Sequence, residues 1–416
     1  MTGAGETRMT ETAFGTPRAF DGVVCIGGED WWYHNRGHFD FQIMRRIARD
    51  WPVLFVNSIA VRMPSLKDKG LFAERMARKM KSLARGVSHI ENKFWVFSPV
   101  SVPGPTGQKL SNWAVAPQIR LAAMRAGIHN PVLWVHCPAG AGLIETIPSA
   151  AVVMQRTDRF EAFPEADPDV VGHYIRDLKA RADLAIYAAP HLMQEERTQV
   201  RRQTLVTHGV DYEVFAAAGR NRASAPPDLA DKRRPRVGFV GGIDHHTFDP
   251  ELFCKVAAAM PGFDFVMVGG CSLPEGWCAL PNVRLLGRKP YDEVAAYMAA
   301  MDALIMPWNR SDWIKACNPI KLKEYLAVGR PIVTTDFPAL DGFRDFVQVA
   351  DTAETFVAAL TRAVERPYDA EKARARVAGE SWDAKADLVK ASVLGLGLTY
   401  HGRRRQSRAI SMPEAA

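Results

Sequence analysis

With 416 residues, of which 47% are hydrophobic and 24% charged, the chain can fill two ordinary cores and is not of a disordered class. No stretch approaches the roughly eighteen consecutive apolar residues of a membrane span, and the first residues, with Glu6 and Glu11, lack the apolar run of a secretory signal. The net charge of +7 is clustered, but no nucleic-acid module or aromatic–basic interleaving accompanies it, so nucleic acid is not an expected partner.

Along the chain, short apolar runs alternate with helical patterns, the layout of parallel sheets wrapped by helices. After a flexible start (1–20), strands are predicted over 23–26, 53–56, 94–97, 132–136, 151–154, 184–187 and 205–207. They define a first domain over 21–217. The segment 218–235, rich in proline and charge, reads as a linker. A second series at 237–240, 265–268, 283–286, 303–306, 332–335 and 346–349 defines a domain over 236–385. A helix over 386–400 and a basic, disordered tail over 401–416 follow. The fold class is α/β. In doubly wound sheets ligands sit outside the carboxyl ends of the strands, so the loops there are where chemistry is expected.

The first such loop, 27–38, holds Gly27, Gly28, Trp31, Trp32, Tyr33, Arg36 and His38. Its glycines allow close backbone approach and its aromatics can stack on a sugar; Trp31, Trp32, Arg36 and His38 are the candidate acceptor contacts. The alternative is a packed loop whose tryptophans are structural. No G-x-G-x-x-G is present, so no dinucleotide fingerprint is read. Residues 66–85 carry seven Lys or Arg against two acids, with Leu71, Phe72, Met76, Met80 and Leu83 at helical spacing. Such a helix suits an anionic membrane leaflet, each cation contributing about 1 kcal/mol, or is an ordinary helix with a solvated basic face.

At 154–160 (MQRTDRF) Asp158 follows a predicted strand and is the candidate catalytic base. Arg156 and Arg159 on either side are expected to keep it ionised; an N-cap or a structural ion pair is the alternative. Glu29, Asp30 and Glu145 are reserves, whereas His136 and His208 read as polar core residues. Six cysteines (25, 137, 254, 271, 278 and 317) form no C-x-x-C pair and read as reduced thiols of a cytosolic protein.

The most informative segment is 318–331 (NPIKLKEYLAVGRP). Asn318 reads as an N-cap, Pro319 as the first helical residue, Gly329 as the glycine past the end and Pro331 as the stop. Lys321 and Lys323 sit where the helix end is already positive, which invites an anion such as a diphosphate. Glu324 shares the face of Lys321 and can accept ribose hydroxyls.

This segment resembles the signature P-x-K-x-x-E-x-x-A-x-G-x-P-V/I-V of group-1 GT-B glycosyltransferases. Residues 236–244 (RVGFVGGID), 281–291 (PNVRLLGRKPY) and 301–307 (MDALIMP) resemble, in order, the glycine turn, the N-V-x-x-x-G-x-x-P-Y segment and the A-D-x-x-I-x-P strand of the same family. The resemblance implies a GT-B fold, two doubly wound Rossmann-like domains facing a cleft, with the C-terminal helices crossing back to the first domain. It implies a nucleotide diphosphate sugar bound by the second domain through Gly241, Gly242, Arg288, Lys315, Asn318, Lys321 and Glu324. The acceptor, a glycan or a polyprenyl- or lipid-linked one, would bind the first domain. Many relatives carry a second glutamate where Ala316 stands, and Lys or Arg within the run 243–248, which here has none.

The expected activity is sugar transfer to a hydroxyl in surface polysaccharide or glycolipid assembly, by a cytoplasmic protein peripheral to the membrane. No cofactor beyond the nucleotide sugar and no metal is expected, since cations and a helix terminus can meet the leaving diphosphate. A nucleotide-sugar epimerase or hydrolase, and a catalytically silent scaffold, remain open alternatives.

Overall fold

Two parallel sheets, each buried on both faces, organise the chain. A computed structural model of the protein describes residues 18–33, 37–59, 69–101, 107–163, 166–221, 225–231 and 234–402. The strands are β1 Arg18–Phe20, β2 Gly22–Ile26, β3 Val53–Val56, β4 Ser88–Glu91, β5 Phe94–Phe97, β6 Pro131–Val135, β7 Ala151–Arg156 and β8 Leu184–Tyr187. They continue as β9 Gln203–Leu205, β10 Arg236–Val240, β11 Asp264–Val268, β12 Val283–Leu285, β13 Ala303–Met306, β14 Ile332–Thr334, β15 Gln348–Val349 and β16 Leu398–Tyr400.

The first sheet runs β4-β5-β3-β2-β6-β7-β8-β9, parallel except for the antiparallel β4–β5 edge pair. The second runs β12-β11-β10-β13-β14-β15 and is parallel throughout. Both orders reverse at their first strand, which puts a topological switch point beside β2 and another beside β10. The continuous apolar runs have the expected cause: alternate residues enter separate cores on the two faces. In β2, Val24 and Ile26 pack on one side, Val23 and Cys25 on the other.

Every apolar run read as a strand lies in or beside one. The strands not anticipated, β1, β4 and β16, are short edge elements; β4 (SHIE) has no apolar pattern. Domain boundaries move. The helix Tyr212–Arg220 enters the expected linker, and its Phe215 packs with Val240 and Val266 of the second core. The outward crossing therefore lies at 206–211. The return crossing lies beside it: Val210 bridges Ser381, and its N–H donates to the Glu380 carbonyl at 2.9 Å. The closing helix begins earlier than expected, at Trp382, and runs to Leu394. Trp382, Ala386, Val389 and Val393 fill the first core, and β16 then pairs with β1. The C-terminal crossing back to the first domain is thus present. The expected flexible start through residue 17 and the tail past Gly402 lie outside the described residues.

Candidate active site at the cleft

The glycine turn after β10 brings the donor-side groups together. Gly241 has φ 152°, and its N–H donates to the Val268 carbonyl at 2.8 Å. Gly269, at φ 150° after β11, lies so close that a Cβ there would stand 1.8 Å from the Gly241 carbonyl oxygen. A Cβ on Gly241 itself would stand 2.0 Å from Lys321 Nζ. Two bare backbone turns and a lysine therefore share one small space, which only glycine permits.

Lys321 belongs to the helix Ile320–Val328, which ends on Gly329 in the left-handed conformation as expected. The start is one residue later than expected. Pro319 is the N-cap and no side chain caps the helix, so Asn318, which is buried, is not the cap. The first backbone N–H groups of this helix are left for a ligand or water. The Tyr325 hydroxyl accepts the Val240 N–H at 2.9 Å and ties the helix to the end of β10. Lys321 Nζ rests over the Phe239 ring at 4.6 Å and the Trp308 ring at 5.6 Å, with no hydrogen bond or ion pair among the described residues. Burial pulls its pKa down to about 8, against the opposing pull of Glu324 and Asp244.

Glu324 is buried, and its pKa is pushed up to about 7 by desolvation. Lys321 opposes that rise and Asp211 adds to it. The Tyr291 hydroxyl donates to Asp211 Oδ2 at 3.0 Å and also opposes the rise in the Glu324 pKa. Asp211 also accepts Arg46 Nη2 of the first domain at 2.9 Å. A chain of polar contacts thus runs from Tyr291 through Asp211 to the first domain. Arg288 projects into the cleft beneath Gly270, where a Cβ would stand 2.6 Å from its Nε, and has no ion-pair partner among the described residues.

Two expected phosphate ligands are placed elsewhere. Lys315 is exposed and held by Asp312 at 2.8 Å, away from the cleft lining. Lys323 is buried at the domain crossing, donating to Glu380 at 2.8 Å, to Thr207 Oγ1 at 3.0 Å and to the His208 carbonyl. It locks the crossing rather than meeting an anion. His208, next to it, is pushed down to about 3 by burial and the Lys323 charge, and is neutral.

On the opposite wall, the loops after β2, β6 and β7 assemble a cluster that sequence reading largely missed. Asp40 Oδ2 lies 2.9 Å from His136 Nδ1 and accepts the Gly28 N–H at 3.2 Å, while Oδ1 accepts the Phe41 N–H at 2.9 Å. His136 Nε2 faces Thr157 Oγ1 at 3.3 Å. Gly28 is needed here, since a Cβ would stand 2.8 Å from the imidazole. Burial alone would lower the His136 pKa, but the charge and hydrogen bond of Asp40 outweigh it and raise it. Burial would likewise raise Asp40, and His136 lowers it instead. With the imidazole protonated, the two form a buried ion pair. Nothing in local spacing joins them, because Asp40 lies in the first turn of the helix Phe39–Ile47.

Asp158 sits beside this pair, half-buried, and its carboxyl is raised by desolvation. A hydrogen bond from Thr157 and the charges of His136, Arg156 and His38 offset only part of that rise. The flanking arginines, expected to keep it ionised, thus do not hold its pKa down: the charge of Arg156 is outweighed by burial. Arg156 is fully buried, bonding Glu161 at 2.8 and 2.9 Å and Glu196 at 2.9 Å. Arg159 is held by Glu195 at 3.1 Å. Burial, and after it the charge of Asp158, push up the pKa of the Cys317 thiol in the second domain.

Trp31 is not an acceptor contact. It is 1% exposed and packs on Phe41, Phe55 and Phe94, with its backbone N–H donating to Asn57 Oδ1 at 2.9 Å. Trp32 is half-buried under the Arg85 guanidinium, 4.0 Å from the ring centroid. His38 is exposed at the N-cap position of the helix Phe39–Ile47 and lines the cleft; Arg36 lies outside the described residues. The cleft measures about 1300 Å³, with Tyr33, His38 and Arg49 on one wall and Gly241, Arg288 and Tyr291 on the other. Among the described residues, no three His, Cys, Asp or Glu side chains gather as metal ligands.

Comparison with known proteins bears on what this cleft is. Residues 234–366, the body that carries Gly241, Lys321 and Glu324, match the family described as Glycosyl transferases group 1. The chain carries a group 1 glycosyltransferase domain on a GT-B fold. A Bacillus subtilis protein named as a glycosyltransferase of teichuronic acid biosynthesis is 34% identical over 140 residues. That stretch is 32% of this chain and 34% of the relative, so the match spans about a third of each. Similar solved structures include sucrose-phosphate synthase from Thermosynechococcus elongatus, at TM-score 0.66 and 14% identity over 90% of this chain and 99% of that one. A trehalose 6-phosphate synthase from Burkholderia multivorans has TM-score 0.62 at 14% identity, with the same coverage. The Anabaena protein HepE, solved with UDP and glucose, has TM-score 0.61 at 14% identity over 90% of this chain and 99% of its own. The likeness extends the GT-B fold over both halves of the chain. The glycosyltransferase domain supplies the glycine turn, the lysine and the glutamate; the first domain supplies the Asp40–His136 pair and Asp158.

Proposed function

We propose that the protein transfers a sugar, of hexose type, from a nucleotide diphosphate sugar to a hydroxyl of a glycan or lipid-linked acceptor during surface polysaccharide or glycolipid assembly. The observation that carries this reading is Lys321, an ammonium without an ion-pair partner among the described residues, set against the Gly241 turn at a helix start that no side chain caps. Exposed N–H groups, a cation and close backbone approach together suit a diphosphate. Glu324 then accepts the ribose hydroxyls, and Arg288 meets the phosphates from the cleft side. UDP bound to HepE and the naming of the Bacillus subtilis relative support a nucleotide-sugar donor and a cell-surface product.

In this scheme the acceptor oxygen attacks the anomeric carbon as the bond to the diphosphate breaks. The hydroxyl proton passes to Asp158, whose raised pKa suits a general base. The charge released on the diphosphate is met by Lys321, Arg288 and the helix N–H groups, with no role assigned to a metal. The acceptor lies along Tyr33 and His38. We place the protein at the cytoplasmic face of the membrane.

Calorimetry or thermal shift against UDP, GDP, dTDP and ADP, with and without their sugars, tests the reading in wild type and Lys321→Ala. One nucleotide should stabilise the wild type, and the variant should lose that response. No response to any nucleotide overturns the transferase and brings the silent scaffold forward.

A further inference from the structure

The helix Gly107–Arg125 is apolar on two opposite sides, and only one side is covered. Val115, Ile119, Ala122, Ala123 and Ala126 point inward and pack with Val24, Leu54 and Val56 of the first sheet. On the outer side Trp113 is 74% exposed, and Leu121 and Met124 are each 50% exposed. With exposed Pro117 these residues recur four, four and three apart, an arc of about 80° at 100° per residue. Val100, 59% exposed, is held beside them: Gln118 accepts its N–H at 3.0 Å and donates to its carbonyl at 3.1 Å.

A helix apolar all round is normally buried all round, and an exposed tryptophan leading a contiguous apolar stripe marks an interaction face. The charge around the stripe selects the partner. The helix sequence contains Lys109, Arg120 and Arg125 and no acid. Arg120 and Arg125 are exposed and flank the apolar stripe, one on each side. Tryptophan and methionine flanked by cations whose stems can lie along an apolar surface match the boundary of an anionic bilayer.

The helix Lys69–Ala84 is less suited than its composition suggests. Arg78 lies over the Tyr33 ring at 5.8 Å and Lys79 donates to the Ser58 carbonyl at 3.5 Å. Arg85, just past its end, covers Trp32. These cations serve the loop behind the cleft instead of forming a free basic face.

We propose that the outer face of the helix Gly107–Arg125, led by Trp113, docks the protein on anionic lipid. The interaction is peripheral: among the described residues no helix is long and apolar enough to cross a membrane. It is independent of the donor and of the transfer reaction.

The test is co-sedimentation of the full-length protein with vesicles of phosphatidylcholine, with and without phosphatidylglycerol. Wild type should pellet with the anionic vesicles, and added salt should weaken the binding. Trp113→Ala should bind roughly tenfold more weakly at unchanged melting temperature, and the variant Lys79→Ala/Lys81→Ala should bind within about twofold of wild type. The fluorescence difference between wild type and Trp113→Phe should shift to the blue when anionic vesicles are added. Equal binding by wild type and Trp113→Ala overturns the proposal. So does a vesicle-free sedimentation coefficient that falls in Trp113→Ala, which would make the face a contact between two copies of the chain.

Discussion

Lys321 Nζ occupies the space that a side chain on Gly241 would need, the two positions being 2.0 Å apart. The lysine is therefore aimed by the glycine turn, and the turn is kept bare by the lysine. Gly241→Ala should displace the ammonium and strain a backbone at φ 152°, costing about 1–3 kcal/mol of stability. Nucleotide affinity should fall at least tenfold by calorimetry. An alanine variant that binds nucleotide as wild type does would show that Lys321 has no part in the site.

Lys321 and Glu324 titrate toward each other, the lysine near 8 and the glutamate near 7. A nucleotide that needs the carboxylate ionised and the ammonium charged should bind best between these values, weakening on both sides. Glu324→Gln should bind more weakly and lose the acidic limb, which calorimetry across pH would show. Stability moves the other way. The raised carboxyl costs the fold nothing below its unfolded pKa; the cost grows as pH rises from there to about 7 and is constant above. Glu324→Gln should therefore melt higher than wild type above neutrality and alike in acid.

The Asp40–His136 pair has its own pH window. Asp40 is lowered, so its contribution is present above the unfolded aspartate pKa and lost in stronger acid. His136 is raised, so its contribution is present below the unfolded histidine pKa and lost as pH rises through the folded one. Both hold together in mildly acidic solution. Asp40→Asn should lower the melting temperature most in that range and move the His136 titration, followed by NMR, to lower pH. An unmoved His136 titration would contradict the ion pair.

Tyr291→Phe removes the hydroxyl that donates to Asp211 and helps lower the pKa of Glu324. The expected loss is about 1 kcal/mol of stability. A second effect distinguishes the relay from simple packing: Tyr291 lowers the Glu324 pKa, so the acidic limb of nucleotide binding should shift to higher pH in the variant. A limb that stays in place would leave Tyr291 as a packing residue only.

Legibility divided along the chain. The donor side could be read because its groups are local: the Gly241 turn, the helix with Lys321 and Glu324 and the Gly329 terminus are each set by neighbours in sequence. The first wall could not, because it is made by packing. Asp40 and His136 are 96 positions apart and meet only when β2 and β6 pair. Trp31 looked like a ligand platform because aromatics crowd its loop; three phenylalanines from separate elements claim it for the core. Lys323 resembled Lys321 in spacing but, two residues on, points about 200° away around the helix, into Glu380. Asp211 gave no local signal, and Tyr291 was legible only as the last residue of the 281–291 segment, its hydrogen bond to Asp211 being formed by packing.

The first and last strands of the described residues lie in the same body, with β1 beside β16 and the helix Trp382–Leu394 packed into the first core. The second body is in effect a long insertion whose entry and exit touch at Val210 and Ser381. During synthesis the first body must wait, its core lacking Trp382 and Val389 until the whole donor domain has emerged. The donor domain is therefore the part able to fold first, and completion of the cleft is the last event in assembling the protein.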